Sequence, residues 1–304
     1  MIRLRLAALA ALLVVLGLLA IPATDAAAPD GGGCPGLSAG DHAIDVVQDG
    51  VTRVVSLHVP LGGNQSPLAL VLALGGAGQS GLDFAEDSGY SRLADRARFL
   101  VAYPTATGAR PFWNMNGHVP GKPDDVEFLR IALDRIEDAA CVDRGRVYAT
   151  GVSNGGGMAA RLGCDLADRL TAVAPVAGGY GTLPACHPAR ALPILEIHGL
   201  ADQVVPYAGK GPQRSGNAWD YVGMWRHIDG CQGAPRRTAP QRRVTEFAWQ
   251  SCAAGSEVVH VRIDGERHGW PGWASTRPSP PGPFSSTVRT WTFFAAHAVR
   301  PLPQ

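Results

Sequence analysis

Ser153 stands in Gly151-Val152-Ser153-Asn154-Gly155, a Gly-x-Ser-x-Gly pattern. A strand-like run, 146–150, leads into it, and a helix-like run, 155–166, follows at once. A serine on so sharp a strand-to-helix turn is offered as a nucleophile. Its neighbours two residues away on either side must be small, as Gly151 and Gly155 are. Its place at a helix N-terminus also favours developing negative charge. An ordinary Gly-rich turn is the bland alternative, and the strand–turn–helix context argues against it.

A serine hydroxyl is a weak nucleophile. It needs a base, and the base needs an orienting acid. Where serine is presented on such a turn, the chain order is Ser, acid, His. Asp202 follows the strand 193–197 within His198-Gly199-Leu200-Ala201-Asp202, at a strand's carboxyl end, and is the expected acid. Asp229 and Asp264 are weaker candidates. His268 lies in the loop between the last strand, Val258–Ile263, and a closing helix, 286–297, and is the expected base. His260 within a strand, His227 within a helix and His198 just after a strand read as structural. An oxyanion needs two backbone amides. One is expected from Asn154 and the other from the loop Gly75-Gly76-Ala77-Gly78-Gln79, where glycine lets backbone approach the substrate. A phosphate-binding loop would end in Gly-Lys-Ser/Thr, and this one does not.

The elements that must position these groups follow from pattern. The apolar run Leu68–Leu74 has no alternation, which suits a strand buried on both faces of a parallel sheet. Further strands are expected at 99–103, 146–150, 171–176, 193–197 and Val258–Ile263. Helices are expected over 88–98, from Asp124-Asp125 onward, over 155–166, 219–227 and 286–297. Gln48-Asp49-Gly50 between the runs 42–47 and Val51–Val59 signals a hairpin. The class is therefore α/β, a mostly parallel sheet with helices on both faces and an antiparallel N-terminal hairpin.

The chain has 304 residues, 46% of them hydrophobic, which is enough to bury one sizeable α/β core. A net charge of +1, with no basic cluster interleaved with aromatics, gives no reason to expect a nucleic-acid partner. Arg3 and Arg5 precede the apolar run 6–21, and Ala23, Ala26, Ala27 and Ala28 follow it. That is the layout of a secretion signal, residues 1–28. The apolar run is short for a membrane span, which needs roughly 20 residues, so no stable membrane association is expected after cleavage. Cys34 follows three glycines and lies well past the apolar run, unlike a lipid-attachment site. Residues 29–40 read as a flexible lead-in and 41–300 as a single catalytic domain. The six cysteines suit disulfides in an oxidising compartment, and no Cys-x-x-Cys suggests zinc. Cys231 is expected to pair with Cys252; the other four allow three connectivities.

These residues bring a family into view. The chain resembles the secreted polyhydroxybutyrate depolymerase and feruloyl esterase group, with its acetyl xylan esterase relatives, over roughly residues 42–297. The resemblance rests on Arg-Val-Tyr-Ala-Thr-Gly-Val-Ser-Asn-Gly-Gly at 146–156 and Ala-Pro-Val-Ala-Gly at 174–178. It rests also on His-Gly-Leu-Ala-Asp-Gln-Val-Val-Pro-Tyr at 198–207, His-Gly-Trp-Pro-Gly at 268–272, and Trp113-Asn114 followed by Asp124-Asp125-Val126. It implies an α/β-hydrolase fold, no cofactor or metal, and ester hydrolysis outside the cell. Its triad falls on Ser153, Asp202 and His268, and its oxyanion amides on Asn154 and Ala77. The family usually has His-Gly where this chain has Gly75-Gly76, which leaves both amides in place but removes an imidazole that could brace the loop. The short stretch between the strands ending near Val176 and starting near Pro193 implies an open cleft without a large lid. Trp113 and Trp270 are expected to line that cleft and favour bulky or polymeric esters. A peptidase on the same fold and a non-catalytic binding protein are the rival functions.

Overall fold

The seven side chains of Leu68–Leu74 (β3) are all buried, and they divide the core in two. Leu70, Leu72 and Leu74 point into one apolar layer, and Ala69, Val71 and Ala73 into the other, the period of two that a strand imposes. A computed structural model describes residues 34–116, 121–181, 183–209, 216–272 and 284–298. The expected signal, 1–28, and the first part of the lead-in, 29–33, lie outside them.

Among the described residues ten strands form one sheet. In chain order they are β1 (Gly40–Gln48), β2 (Val51–Val59), β3, β4 (Leu100–Pro104), β5 (Val142–Val152), β6 (Ala172–Val176), β7 (Ile194–Gly199), β8 (Arg236–Gln241), β9 (Val244–Trp249) and β10 (Val258–Ile263). Their spatial order is β1-β2-β4-β3-β5-β6-β7-β10-β9-β8. The run from β4 to β10 is parallel, and antiparallel strands close both edges. Helices α3 (Asp125–Ala139), α4 (Asn154–Asp165) and α5 (Ala218–Ile228) cover one face. Helices α1 (Gly81–Ser88), α2 (Tyr90–Ala97) and α6 (Ser286–Ala295) cover the other. From β3 the chain steps to β4 on one side, then crosses back to β5 on the other. The loops after β3 and β5 thus diverge from a switch point, where open α/β sheets bind ligands.

The N-terminal hairpin turns at Asp49 and Gly50, with φ of 50° and 77°, as a two-residue turn of matching twist requires. Two readings change. The helix expected over 88–98 is α2, and a helix not expected, α1, precedes it: Ser80 caps α1, and Gly89 at φ 68° ends it. The hairpin β8–β9 was not expected; Arg236, Arg237 and Pro240 give its edge strand no apolar alternation, and edge strands tolerate both charge and proline.

All six cysteines pair, as Cys34–Cys141, Cys164–Cys186 and Cys231–Cys252. The first ties residue 34 to the sheet, and Leu37 O accepts from Asn64 N at 3.0 Å. The second half of the lead-in, expected to be flexible, is therefore anchored. Cys231–Cys252 joins the chain beyond α5 to the chain beyond β9 and closes a separation of 21 residues. Replacing both by serine should cost roughly 3 kcal/mol, through the freedom regained by the unfolded chain. Denaturant melts of the oxidised protein and the double variant measure this, and coincident curves would refute it.

Candidate active site

Ser153 links the end of β5 to the start of α4 with φ 58° and ψ −119°, a conformation few side chains tolerate. Its neighbours make that turn feasible. A Cβ on Gly151 would lie 2.5 Å from Gly155 O, and one on Gly155 would collide with the carbonyls of Leu74 and Gly75. Ser153 N donates to Val176 O at 3.0 Å, which pins the turn to β6.

Because β5, β7 and β10 run parallel, their carboxyl ends share one edge of the sheet, and the three candidate residues meet there. His268 Nε2 is 2.8 Å from Ser153 Oγ, and His268 Nδ1 is 2.7 Å from Asp202 Oδ2. Nδ1 donates to the carboxylate, so Nε2 is left to accept the serine proton. The loops carrying acid and imidazole are sewn together: Leu200 N donates to Ile263 O at 3.0 Å and Ala201 N to Glu266 O at 2.9 Å. Asp202 is itself held, its Oδ1 accepting from Val204 N and Val205 N at 2.9 and 2.8 Å. Burial opposes its charge, but hydrogen bonds from His198 and His268 outweigh that and keep the Asp202 carboxyl well below the usual carboxylate range. Asp229, the weaker candidate acid, sits elsewhere. It accepts from Ser256 Oγ and Leu192 N, and burial pushes its carboxyl up to about 6.

The loop after β3 runs beside the serine; a Cβ on Gly76 would touch Ser153 Cβ at 3.4 Å. Gly76 N donates to Gln79 Oε1, Gly78 N to Pro111 O and Gln79 N to Gly76 O. Among the described residues Ala77 N has no such partner, and Asn154 N opens a helix whose first amides have none within the helix. These are the two amides expected to hold an oxyanion. Side chains that the motif reading did not single out brace this loop. Gln79 braces Gly76 and is braced by Asp87 Oδ2 at 2.7 Å. A lone Gln after four small residues was the only sequence signal.

Both tryptophans depart from expectation: neither lines the cleft. Trp113 is 1% exposed and Trp270 0%. Trp113 Nε1 donates to Gly75 O at 3.0 Å, its N–H donates to Asn154 Oδ1, and its carbonyl accepts from Asn154 Nδ2. It thus clamps the loop after β3 to the serine turn from inside the core. Trp270 meets Phe84 edge-on at 5.3 Å and donates to Thr287 Oγ1, anchoring the His268 loop against α6. The adjacent Asn114 reaches Asp125 through its backbone N–H; Asp125 in turn is ion-paired with buried Arg53 at 2.8 Å. The cleft above Ser153 encloses about 510 Å³ and is bounded by the loop after β3, Gly269 and the α1 carboxylates Asp83, Glu86 and Asp87.

A parallel sheet with a serine on a strained turn after β5, and an acid and an imidazole after β7 and β10, defines an α/β-hydrolase. No family model matches the chain. The chain is 36% identical over 172 residues to feruloyl esterase B of Piromyces equi, a match covering 51% of this chain and 31% of that protein. It therefore spans about a third of that relative's length. It is 32% identical over 273 residues to the putative esterase NocK of Nocardia uniformis subsp. tsuyamanensis, covering 81% of this chain and 78% of that one. Its fold matches an acetyl xylan esterase from Aspergillus awamori with a TM-score of 0.60 and 16% identity, over 80% of this chain and 93% of that structure. The chain belongs to the α/β-hydrolase family of carboxylic ester hydrolases that includes the feruloyl esterases.

Proposed function

We propose that this chain is a secreted serine esterase acting on bulky or polymeric carboxylic esters, of the feruloyl or acetyl polysaccharide or polyhydroxyalkanoate type, through Ser153, His268 and Asp202. The observation that carries the reading is the His268 imidazole, within 2.8 Å of Ser153 Oγ and 2.7 Å of Asp202 Oδ2. His268 Nε2 takes the serine proton as Oγ attacks the ester carbonyl. Asp202 stabilises the imidazolium, and the amides of Asn154 and Ala77 hold the oxyanion. The C–O bond breaks, His268 returns the proton to the departing alcohol, and the acyl group stays on Ser153. Water, deprotonated by His268, then attacks the acyl carbon; the bond to Oγ breaks, His268 returns the proton to Ser153 and the acid leaves.

Substrate class is supported by the names of the relatives and by the cleft. Its Asp83, Glu86 and Asp87 wall suits neutral esters of hydroxyl-rich alcohols and repels anionic ones. Export is supported by the N-terminal pattern and by three disulfides. A hydrolysis panel tests the reading. Methyl ferulate, feruloylated arabinoxylan, acetylated xylan and polyhydroxybutyrate should include at least one good substrate, and peptide amides should not be cleaved. Turnover of peptides, or of no carboxylic ester, would overturn it.

A further inference from the structure

Asp202 has a second imidazole neighbour, which the reaction cycle above does not use. His198, near the end of β7, is 1% exposed. Its Nδ1 lies 2.9 Å from Glu196 Oε1. Its Nε2 lies 2.9 Å from Val205 O and 3.4 Å from Asp202 Oδ2. A carbonyl and an ionised carboxylate can only accept. A neutral imidazole has one N–H and one lone pair, and that lone pair would face an oxygen of the same kind on one side or the other. Only the imidazolium satisfies both sides. Glu196, 0% exposed, is the counter-charge. Tyr180 OH donates to its Oε1 at 2.9 Å, and His260 Nδ1 stands 2.7 Å from its Oε2. His260 Nε2 lies 2.9 Å from Tyr207 OH. The remaining titratable neighbours are the Tyr207 ring, edge-on to His198 at 5.8 Å, Arg262, opposite His198 on β10, and Tyr221, stacked on Tyr180.

We propose that His198, as a buried imidazolium held between Glu196 and Asp202, is a positioning residue that orients Asp202 and lowers the proton affinity of His268. The proposal rests on the reading of Ser153, His268 and Asp202 as the triad. Both imidazoles contact the same oxygen, Asp202 Oδ2, at 2.7 and 3.4 Å, so their nitrogens are no more than about 6 Å apart. The cation shares the carboxylate that His268 relies on to hold its proton. With it, His268 sheds that proton and works as a base at lower pH than a triad whose acid stands alone. Burial opposes a charge on His198, but the hydrogen bonds to Asp202 and Glu196 prevail and push its imidazole up to about 10. Glu196 is correspondingly held down to about 2 in spite of its burial.

Ring-nitrogen NMR shifts of the wild-type protein at pH 7.5 come first: His198 should carry two protons, and a single-proton tautomer ends the proposal. The second measurement is the pH dependence of kcat/KM on a neutral ester. In His198→Gln the acid limb should move to higher pH by about one unit, given unit charges at that separation in a partly polar interior. The single change strands two buried carboxylates, so Glu196→Gln/His198→Gln, which removes one charge of each sign, is made beside it. Its limb should move in the same direction by less. A folded double variant whose limb coincides with wild type would mean that His198 is only packing. Ser153→Ala separates the two readings: if it stays active, the triad is wrong; if it is dead while the limb does not move, only the role of His198 falls.

Discussion

Ser153→Ala folds, melts with the parent protein and loses ester hydrolysis by on the order of a million-fold in kcat. The change removes one oxygen from a half-buried site and leaves the turn intact, because the backbone strain at φ 58° is supported by Gly151, Gly155 and the Ser153 N to Val176 O bond. His268 keeps its bond to Asp202 and loses only its partner at Oγ. Substrate binding should change little, since the hydroxyl acts on the reacting carbon and not on the remainder of the ester. The measurement is kcat and KM on a p-nitrophenyl ester and on a polysaccharide ester, with circular dichroism to show the fold. Activity within tenfold of the parent, on protein freed of contaminating esterase, would sink the assignment of the nucleophile.

The second large effect is expected at Trp113. Its ring is buried, and removing it opens a cavity, so Trp113→Ala should lose about 3–5 kcal/mol of stability. The surviving folded fraction should be slowed on every ester by a similar factor. The reason is the bond from Nε1 to Gly75 O and the paired bonds between the Trp113 backbone and the Asn154 side chain, which hold the two amides proposed for the oxyanion in register. Trp113→Phe separates packing from clamping. It fills most of the space but has no N–H for Gly75 O, so stability should fall less while kcat still drops for acetate and ferulate alike. A loss confined to bulky or feruloyl esters, with an unchanged melt, would put the ring on the substrate after all.

Several features of the molecule are written in short stretches of chain. The serine turn needs glycine at two positions because backbone carbonyls of Leu74, Gly75 and Gly155 crowd them, and that demand shows as Gly-x-Ser-x-Gly. The hairpin turn at Asp49-Gly50 and the unbroken apolar run of β3 are equally local, since each reflects the conformation or burial of adjacent residues. The order Ser153, Asp202, His268 was legible because each residue follows a strand and parallel strands share one carboxyl edge.

Other features depend on direction and on distant partners. Trp270 is two residues from His268, yet its ring turns into the core against Phe84, and sequence spacing carries no information about which way a loop side chain points. The edge hairpin β8–β9 has a polar pattern that a loop would share, and it becomes a strand pair because β10 offers a free edge to pair with. His198 read as a local packing residue from its position after a strand. Glu196 and Asp202 are two and four residues from it in the chain, but only the tertiary structure adds Tyr180 and His260 at Glu196, His260 because β7 and β10 are neighbours in the sheet though far apart in the chain. Motifs with steric or periodic causes were thus fixed by the amino-acid order alone, whereas the polar network behind the acid exists only where long-range packing excludes water and forces each buried group to find a partner.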